Sequence, residues 1–526
     1  MKSTVLLAAS AMTLSLVVAP MPAAAQHAGH GAHVSAPAKK PAAKKPVKKK
    51  VVAKKPVAKK PATKKAAGRK PVAKKPLATK TPRAAAPEPE HQHAAPLAPV
   101  PTVPEPAPIV DHSGHVGHGQ LVAKPPPTAP HAGHGSLGAA LGPYPMNREA
   151  SGTAWQPDTS GHTSLMGPAG DWTLMGHGIL NLVYDHQSGR RGDDKAFASG
   201  MLMGMARRPL GNGTLQLKAM VSPDPLMGKS GYPLLLASGE TANGVDRLID
   251  RQHPHDFFME LSASVSQNIG PKGSVFIYAG LPGEPAFGPP AFMHREAILD
   301  SPEAPISHHW LDSTHIAFGV VTGGLVFDSV KIEVSRFNGR EPDQDRWDIE
   351  TGKLDSTAVR LSWNPAKTLA LQGSWGTFKE PEQLETGVNQ TRWSASALYA
   401  REIARGWKLA GTLAWGRKSV KHHGEWLNDD AYVAEASLKH SGWTLFGRGE
   451  VTENRELVES EVAEHGPAYR VGKVSAGAVR DFRLAEYLTF GVGGLVSLNF
   501  VPDDLAPLYG SHHPMGAMGF LRLKLD

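Results

Sequence analysis

From Trp172 to the end of the chain, apolar and polar residues alternate one by one in short segments. In Gly406–Gly416, Trp407, Leu409, Gly411, Leu413 and Trp415 share one face of an extended chain, and Lys408, Ala410, Thr412 and Ala414 share the other. Aromatics close both ends of the apolar face. A strand that crosses hydrocarbon needs about 9–11 tilted residues, with aromatic girdles where it leaves the lipid. The same period recurs in Trp172–Tyr184, Leu354–Trp363 and Thr391–Ala400, and at Leu521, Leu523 and Leu525. Sixteen strand-like stretches follow one another, the first at 171–186, the sixth and seventh at 312–322 and 324–337, and the last at 515–525. Connections such as Arg208–Gly213 and Asn364–Lys367 carry Gly, Pro or Asn and read as hairpin turns. The pattern predicts an all-β protein, a transmembrane antiparallel β-barrel of about 14–16 strands behind a disordered N-terminal tail. A soluble β-sandwich or lipocalin-like barrel also alternates, but so many regular strands are too many for one soluble core.

The first residues fix the expected compartment. Lys2, the apolar stretch Val5–Val18 and Ala23-Ala24-Ala25 read as a signal peptide of residues 1–25, cleaved before Gln26. No later run approaches the ~18–20 apolar residues of a membrane helix, so spanning falls to strands. The chain has 0 Cys, so it forgoes disulfides despite export, which suits a large barrel better than a small secreted scaffold. An even number of strands puts both termini on the periplasmic side. One departure from the usual barrel is the ending Leu-Arg-Leu-Lys-Leu-Asp526, where Phe520 is the nearest aromatic to a terminus that is commonly aromatic.

The net charge of +9 conceals opposite halves. Residues 26–145 hold 18 Lys and 2 Arg against Glu88, Glu90, Glu105 and Asp111, a balance of +16; once Lys2 is also set aside, residues 146–526 carry −8. The tail's Ala-Lys-Lys-Pro repeats (Ala38–Pro41, Ala53–Pro56, Ala58–Pro61, Ala73–Pro76) have no aromatics and too much Pro for a helix. They predict an extended, polyproline-like spacer of ~3.1 Å per residue in the periplasm. Such repeats suit nucleic acid in a cytosolic protein, but export removes that partner. Anionic periplasmic polymers, the acidic barrel or lipid headgroups are the partners left for these lysines.

Ten histidines punctuate the spacer. His27, His30 and His33 stand at i, i+3 and i+6, as do His112, His115 and His118; His91 and His93 form a pair, and His131 and His134 close the set. Imidazole with Gly or Ala between ligands lets a loose chain wrap a Cu, Ni or Zn ion, with modest affinity because nothing pre-organises it. The barrel adds its own candidates between Arg251 and Asp348. His253 and His255 lie two apart, with Asp256 and Glu260 nearby; His294 ends Pro289-Pro-Ala-Phe-Met-His; His308 and His309 precede Asp312 and His315. Proline is too dense here for regular strand, so these are ordered loops or inward-folded segments that line a cavity. From this set either a transition-metal site or a hydrogen-bonded lumen network can be drawn. Met201, Met203 and Met205 share one face of their strand and are expected to meet lipid, though they would suit Cu(I) if they pointed inward; Met175 and His177 are placed to face the lumen. His512, His513, Met515 and Met518 form a small cluster near the end. Ser313 and His315 would serve an outer-membrane hydrolase, but no nucleophile elbow accompanies them.

The blocks Arg251-Gln-His-Pro-His-Asp256, Pro289-Pro-Ala-Phe-Met-His-Arg295, Pro302-Glu-Ala-Pro-Ile-Ser-His-His-Trp310, Asp312-Ser-Thr-His-Ile316 and Asn338-Gly-Arg-Glu-Pro342 resemble those of an uncharacterised proteobacterial outer-membrane barrel family that often accompanies heavy-metal resistance. The resemblance covers residues 150–526 and brings no established mechanism. In plan, a His-rich exported leader before a barrel, the chain is also similar to copper resistance protein B. Together these readings imply a non-enzymatic barrel in outer-membrane lipid that binds or passes copper or a similar ion, with the tail capturing metal. A porin-like or structural barrel without a metal role is the alternative, and a hydrolase the third. The tail reading is checked on a peptide of residues 26–145, which should lack helical circular dichroism yet bind Cu²⁺, Ni²⁺ or Zn²⁺; a helical spectrum or no binding contradicts it.

Overall fold

The computed structural model describes residues 138–161, 164–422, 424–459 and 466–525. Sixteen antiparallel strands form the barrel: β1 (Trp172–Gln187), β2 (Asp194–Leu210), β3 (Gly213–Val221), β4 (Phe258–Ile269), β5 (Gly273–Gly280), β6 (Val320–Phe327), β7 (Val330–Phe337), β8 (Ser356–Ala366), β9 (Leu369–Lys379), β10 (Asn389–Ala404), β11 (Trp407–His422), β12 (Glu425–His440), β13 (Trp443–Asn454), β14 (Tyr469–Ala485), β15 (Leu488–Phe500) and β16 (Met515–Leu525). Each pairs with the next. The ring closes where β16 meets β1, from Gly516 opposite Gln187 to Leu525 opposite Gly178. Closure leaves no unpaired edge, as hydrocarbon demands.

The side chains are arranged inside out. In β7, Val330, Ile332 and Val334 are exposed, whereas Lys331, Glu333 and Ser335 between them have no exposed surface. Those inward charges compensate one another: Lys331 Nζ lies 3.2 Å from Glu333, and Arg360 Nε of β8 donates to the same carboxylate at 3.0 Å. Leu180, Leu182, Leu217, Ile277, Leu325, Leu361, Leu413, Leu445 and Val496 continue the exposed apolar band around the outside. Trp407 and Trp443 stand exposed at the starts of their strands, and Trp426 stands near the start of β12. An apolar belt with aromatic rims over a polar interior is the surface of an outer-membrane barrel. No helix among the described residues is long and apolar enough to cross a membrane.

One end of the barrel has only tight turns, such as Gly211-Asn212, Asp328-Ser329, Lys367-Thr368 and Arg405-Gly406. The other carries three long inserts, 222–257, 281–319 and 338–355, that fold back into the lumen. The first insert brings a two-stranded ribbon, Tyr232–Thr241 against Arg247–Gln252. Its Leu234, Leu235 and Leu236 pack on inward Val183, Phe197, Phe446, Val479 and Phe520 of the wall. The second insert contributes a single helical turn, His308–Leu311, and the segment 312–319, expected to begin a strand, is instead a 3-10 turn and coil that delays β6 to Val320. From the tight-turn end the segment beginning at Gly138 also enters the lumen: Ser266 and Ser274 of β4 and β5 donate to the carbonyls of Ala140 and Leu141 at 2.7 and 2.6 Å.

Leu361 is exposed at the middle of the eleven-residue β8. Leu361→Arg should lower the stability of the barrel refolded in lipid by about 2–4 kcal/mol. An unchanged denaturation midpoint would show that this face does not meet hydrocarbon.

Candidate metal centre

Three inserts bring five of the expected histidines together. His253 and His255 arrive from the first insert, His308, His309 and His315 from the second, and Glu341 from the third. The rings of His255 and His315 lie 5.2 Å apart, those of His308 and His315 5.2 Å, those of His308 and His309 5.7 Å, and those of His253 and His309 5.8 Å. The helical turn sets two of these directions. Ser307, which begins it, is fixed to the wall because its N–H and hydroxyl both donate to Glu450 of β13, at 3.0 and 2.7 Å. Trp310 on the same turn donates from Nε1 to the carbonyl of Asp429 at 3.0 Å and packs on Ala414, Ala431 and Val433. The turn can lie this close because Gly416 has no side chain: a Cβ there would stand 2.4 Å from the Trp310 carbonyl oxygen.

Each imidazole is oriented through Nδ1. His255 Nδ1 is 2.8 Å from Asp224, His308 Nδ1 2.8 Å from Asp312, His315 Nδ1 2.7 Å from the Asp312 carbonyl, and His253 Nδ1 3.3 Å from Glu240. An oxygen acceptor at Nδ1 holds the proton there in the neutral ring, which leaves the lone pair on Nε2. The Nε2 atoms of His253, His255, His308 and His315 are buried and have no hydrogen-bond partner. Burial, with positive charge nearby, holds His253 and His315 well below the usual histidine range. Burial likewise lowers His308, against the pull of Asp312. All three imidazoles are therefore neutral at pH 7 and able to ligate.

His309 is different. Burial opposes its charge, but Glu341, 3.0 Å from Nδ1, raises it to about 9 and is itself held near about 2. Its ring needs Gly239 (φ +115°), where a Cβ would come within 2.7 Å of Nε2. Ligand atoms of His309, Glu341 and Glu382 lie within 4.8 Å of one another, the one such group among the described residues. Burial and then Glu341 raise the Glu382 carboxyl well above the carboxylate range. The cationic imidazole and the Glu341 carboxylate form an ion pair, beside which Glu341 Oε2 and Glu382 Oε1 are buried without a hydrogen-bond partner. The quartet of His253, His255, His308 and His315, whose ligand atoms stand further apart, is the chemically open set.

The other expected ligands divide. Asp312 orients rather than opens: it links His308 to Arg295 at 2.5 Å, and Arg295 in turn holds Glu435 of β12 through two bonds of 2.7 Å. Asp256 is taken by Arg346 at 3.2 Å, and Glu260 faces Lys218 at 3.6 Å and accepts from Tyr278 at 2.9 Å. His294 stands apart from the five and faces His177, with ring centres 6.5 Å apart. Ser313 meets Arg392 at 3.2 Å, while His315 Nε2, the atom that would take a serine proton, has no hydrogen-bond partner, so the two do not form the serine–histidine couple of a hydrolase. His512 and His513 are exposed on a loop while Met518 points inward, so the C-terminal cluster does not assemble. His27, His30, His33, His112, His115, His118, His131 and His134 lie outside the described residues. Sequence reasoning missed Asp224, Glu240, Glu341 and Glu382 as partners of the imidazoles; only Glu341 sat in a motif singled out there, Asn338-Gly-Arg-Glu-Pro342.

No family model and no curated protein matches the chain. Solved structures similar to it include OprB of Pseudomonas putida, with a TM-score of 0.45 and 9% identity over 68% of this chain and 94% of that one. OmpF of Salmonella typhi in complex with daunomycin gives 0.43 and 10% over 69% and 100%, and an anion-selective porin from Comamonas acidovorans gives 0.38 and 13% over 67% and 100%.

Proposed function

We propose that this barrel resides in the outer membrane and binds a transition-metal ion of the Cu, Ni or Zn class inside its plugged lumen, in the service of metal tolerance, with the histidine-bearing tail collecting metal in the periplasm. The observation that carries the reading is the set of imidazoles His253, His255, His308 and His315, each tied down at Nδ1 and each presenting a buried, partnerless Nε2. Buried polar atoms are almost always satisfied, and four orphans on adjoining rings are what a ligand would satisfy. A carboxylate or carbonyl behind each ligating imidazole is the usual outer support of a metal site. Imidazole suits Zn, Cu and Ni, and an acidic barrel draws cations inward. The rival channel reading calls for an open lumen, whereas three inserts and an N-terminal segment pack this one.

The test uses the full chain in detergent, with equilibrium dialysis against Zn²⁺, Cu²⁺ or Ni²⁺. The variant carrying both His308→Ala and His315→Ala should bind one equivalent fewer than the unaltered protein while keeping the equivalents owed to the tail. At free metal about 100-fold above Kd, the unaltered barrel should gain about 2.7 kcal/mol against unfolding, and the variant should not. Equal uptake and equal stabilisation of the two proteins would remove the lumen site.

A further inference from the structure

A second cluster inside the barrel uses a different chemistry. Leu202 on β2 is exposed, and the alternate positions Met201 and Met203 are buried, so the methionine face expected to meet lipid points inward. Register then brings sulfur side chains together across the wall: Met205 is opposite Met175, Met203 is opposite both His177 and Met220, and Met201 is opposite Ile179. Directly paired side chains on one face lie within about 4.5–5.5 Å at Cβ. The second insert completes the set with Met293 and His294, one and two residues beyond Phe292, whose ring is 5.8 Å from His308 of the imidazole quartet. Met201, Met203, Met205, Met293, His177 and His294 bound a cavity of about 300 Å³ that reaches the N-terminal segment at Glu149 and Gly152.

Methionine ordinarily fills irregular gaps in a core. Here the methionines border a space that they leave open, with two imidazoles on its edge. Of the cations lining the cavity, Arg207 is matched by Glu149 at 3.0 Å, Lys218 by Glu260 at 3.6 Å, Lys439 by Glu296 at 3.0 Å and Lys524 by Asp481 at 3.9 Å, and Lys408 is exposed to solvent, which screens it. Thioethers are uncharged and soft; they give little to Zn²⁺ or Ni²⁺ and favour Cu(I), and Ag(I) by the same softness. We propose that this methionine-lined cavity is a binding site for a soft monovalent cation, Cu(I) or Ag(I), separate from the imidazole quartet. It stands on other residues and does not require that quartet to bind anything.

The chain itself supplies the discriminating signal. There are 0 Cys, and between Gln26 and Pro145 there is no Met, so past the expected signal peptide every sulfur belongs to a methionine at or after Met146. Full-length protein in detergent is loaded anaerobically with Cu(I), and its copper X-ray absorption is recorded; Ag(I) uptake is measured in parallel. Sulfur scattering is expected, together with its loss and the loss of one Ag(I) equivalent in the variant carrying Met201→Leu, Met203→Leu and Met205→Leu. Leucine preserves volume, and heat-modifiable mobility confirms that the variant is folded. Zn²⁺ uptake should be unchanged by these substitutions, and the His308→Ala, His315→Ala variant should retain the sulfur signal, which keeps failure here distinct from failure of the imidazole site. Absence of sulfur scattering from the unaltered protein overturns the proposal, as does full sulfur scattering in the folded triple variant. If the triple variant does not fold, Met293→Leu, on the insert rather than the wall, should by itself cost the Ag(I) equivalent, and an unchanged equivalent would also overturn it.

Discussion

Arg295 holds the interior of this barrel to its wall. The side chain has no exposed surface, and it reaches Asp312 of its own insert on one side and Glu435 of β12 on the other. A buried pair stripped of one member leaves an uncompensated charge, at a cost of about 3–5 kcal/mol. The wall therefore depends on the inserts as much as they depend on it. Glu450 and Arg522 face inward, and their partners Ser307 and Asp300 come from the same insert; Lys473 is likewise met by Glu303. The folded-back chain supplies the partners of these charges.

That dependence explains why the imidazoles are so well oriented. Asp312 is pinned by a guanidinium that is itself pinned by the wall, so its carboxylate and its carbonyl can direct His308 and His315 at once. The same low-dielectric surroundings that strengthen these bonds suppress protonation of the rings they orient. Neutral imidazoles with fixed Nδ1 and bare Nε2 follow from burial and the placement of oxygen, with no ion needed to arrange them. Close approach of backbone is the remaining requirement, met by Gly416 against Trp310 and Gly239 against His309.

Much of the frame was legible before any coordinates. Fourteen of the sixteen expected stretches fall on single strands of the barrel because a period of two is imposed by the pleat, and lipid outside with charge inside makes it conspicuous; the other two, 312–322 and 324–337, place the β6–β7 turn about five residues too early. The failures have physical reasons. Residues 312–319 alternate no worse than a strand, but His315 and Ile316 are drawn into the lumen by Asp312 and by packing on Phe318 and Met259, and pairing begins only at Val320. The first strand of the ribbon is buried almost throughout, so Leu234–Leu236 form an apolar run without period, and left-handed backbone at Leu236, Glu240 and Asp250 breaks the regularity further. Met201, Met203 and Met205 alternate as a strand requires, yet the pattern does not reveal that they face inward, because an apolar residue is at home both in lipid and in a packed interior.

By itself, then, the amino-acid sequence determined a β-barrel of about 14–16 strands, most of its hairpin ends and the residues rich in ligand chemistry, since each of these rests on local spacing or residue type. Only the tertiary structure decided which histidines converge, which carboxylates stand behind them and which face of β2 looks inward. Those relations join three inserts and distant strands through ring closure and buried charge pairing, and a local pattern carries no record of distance across a lumen.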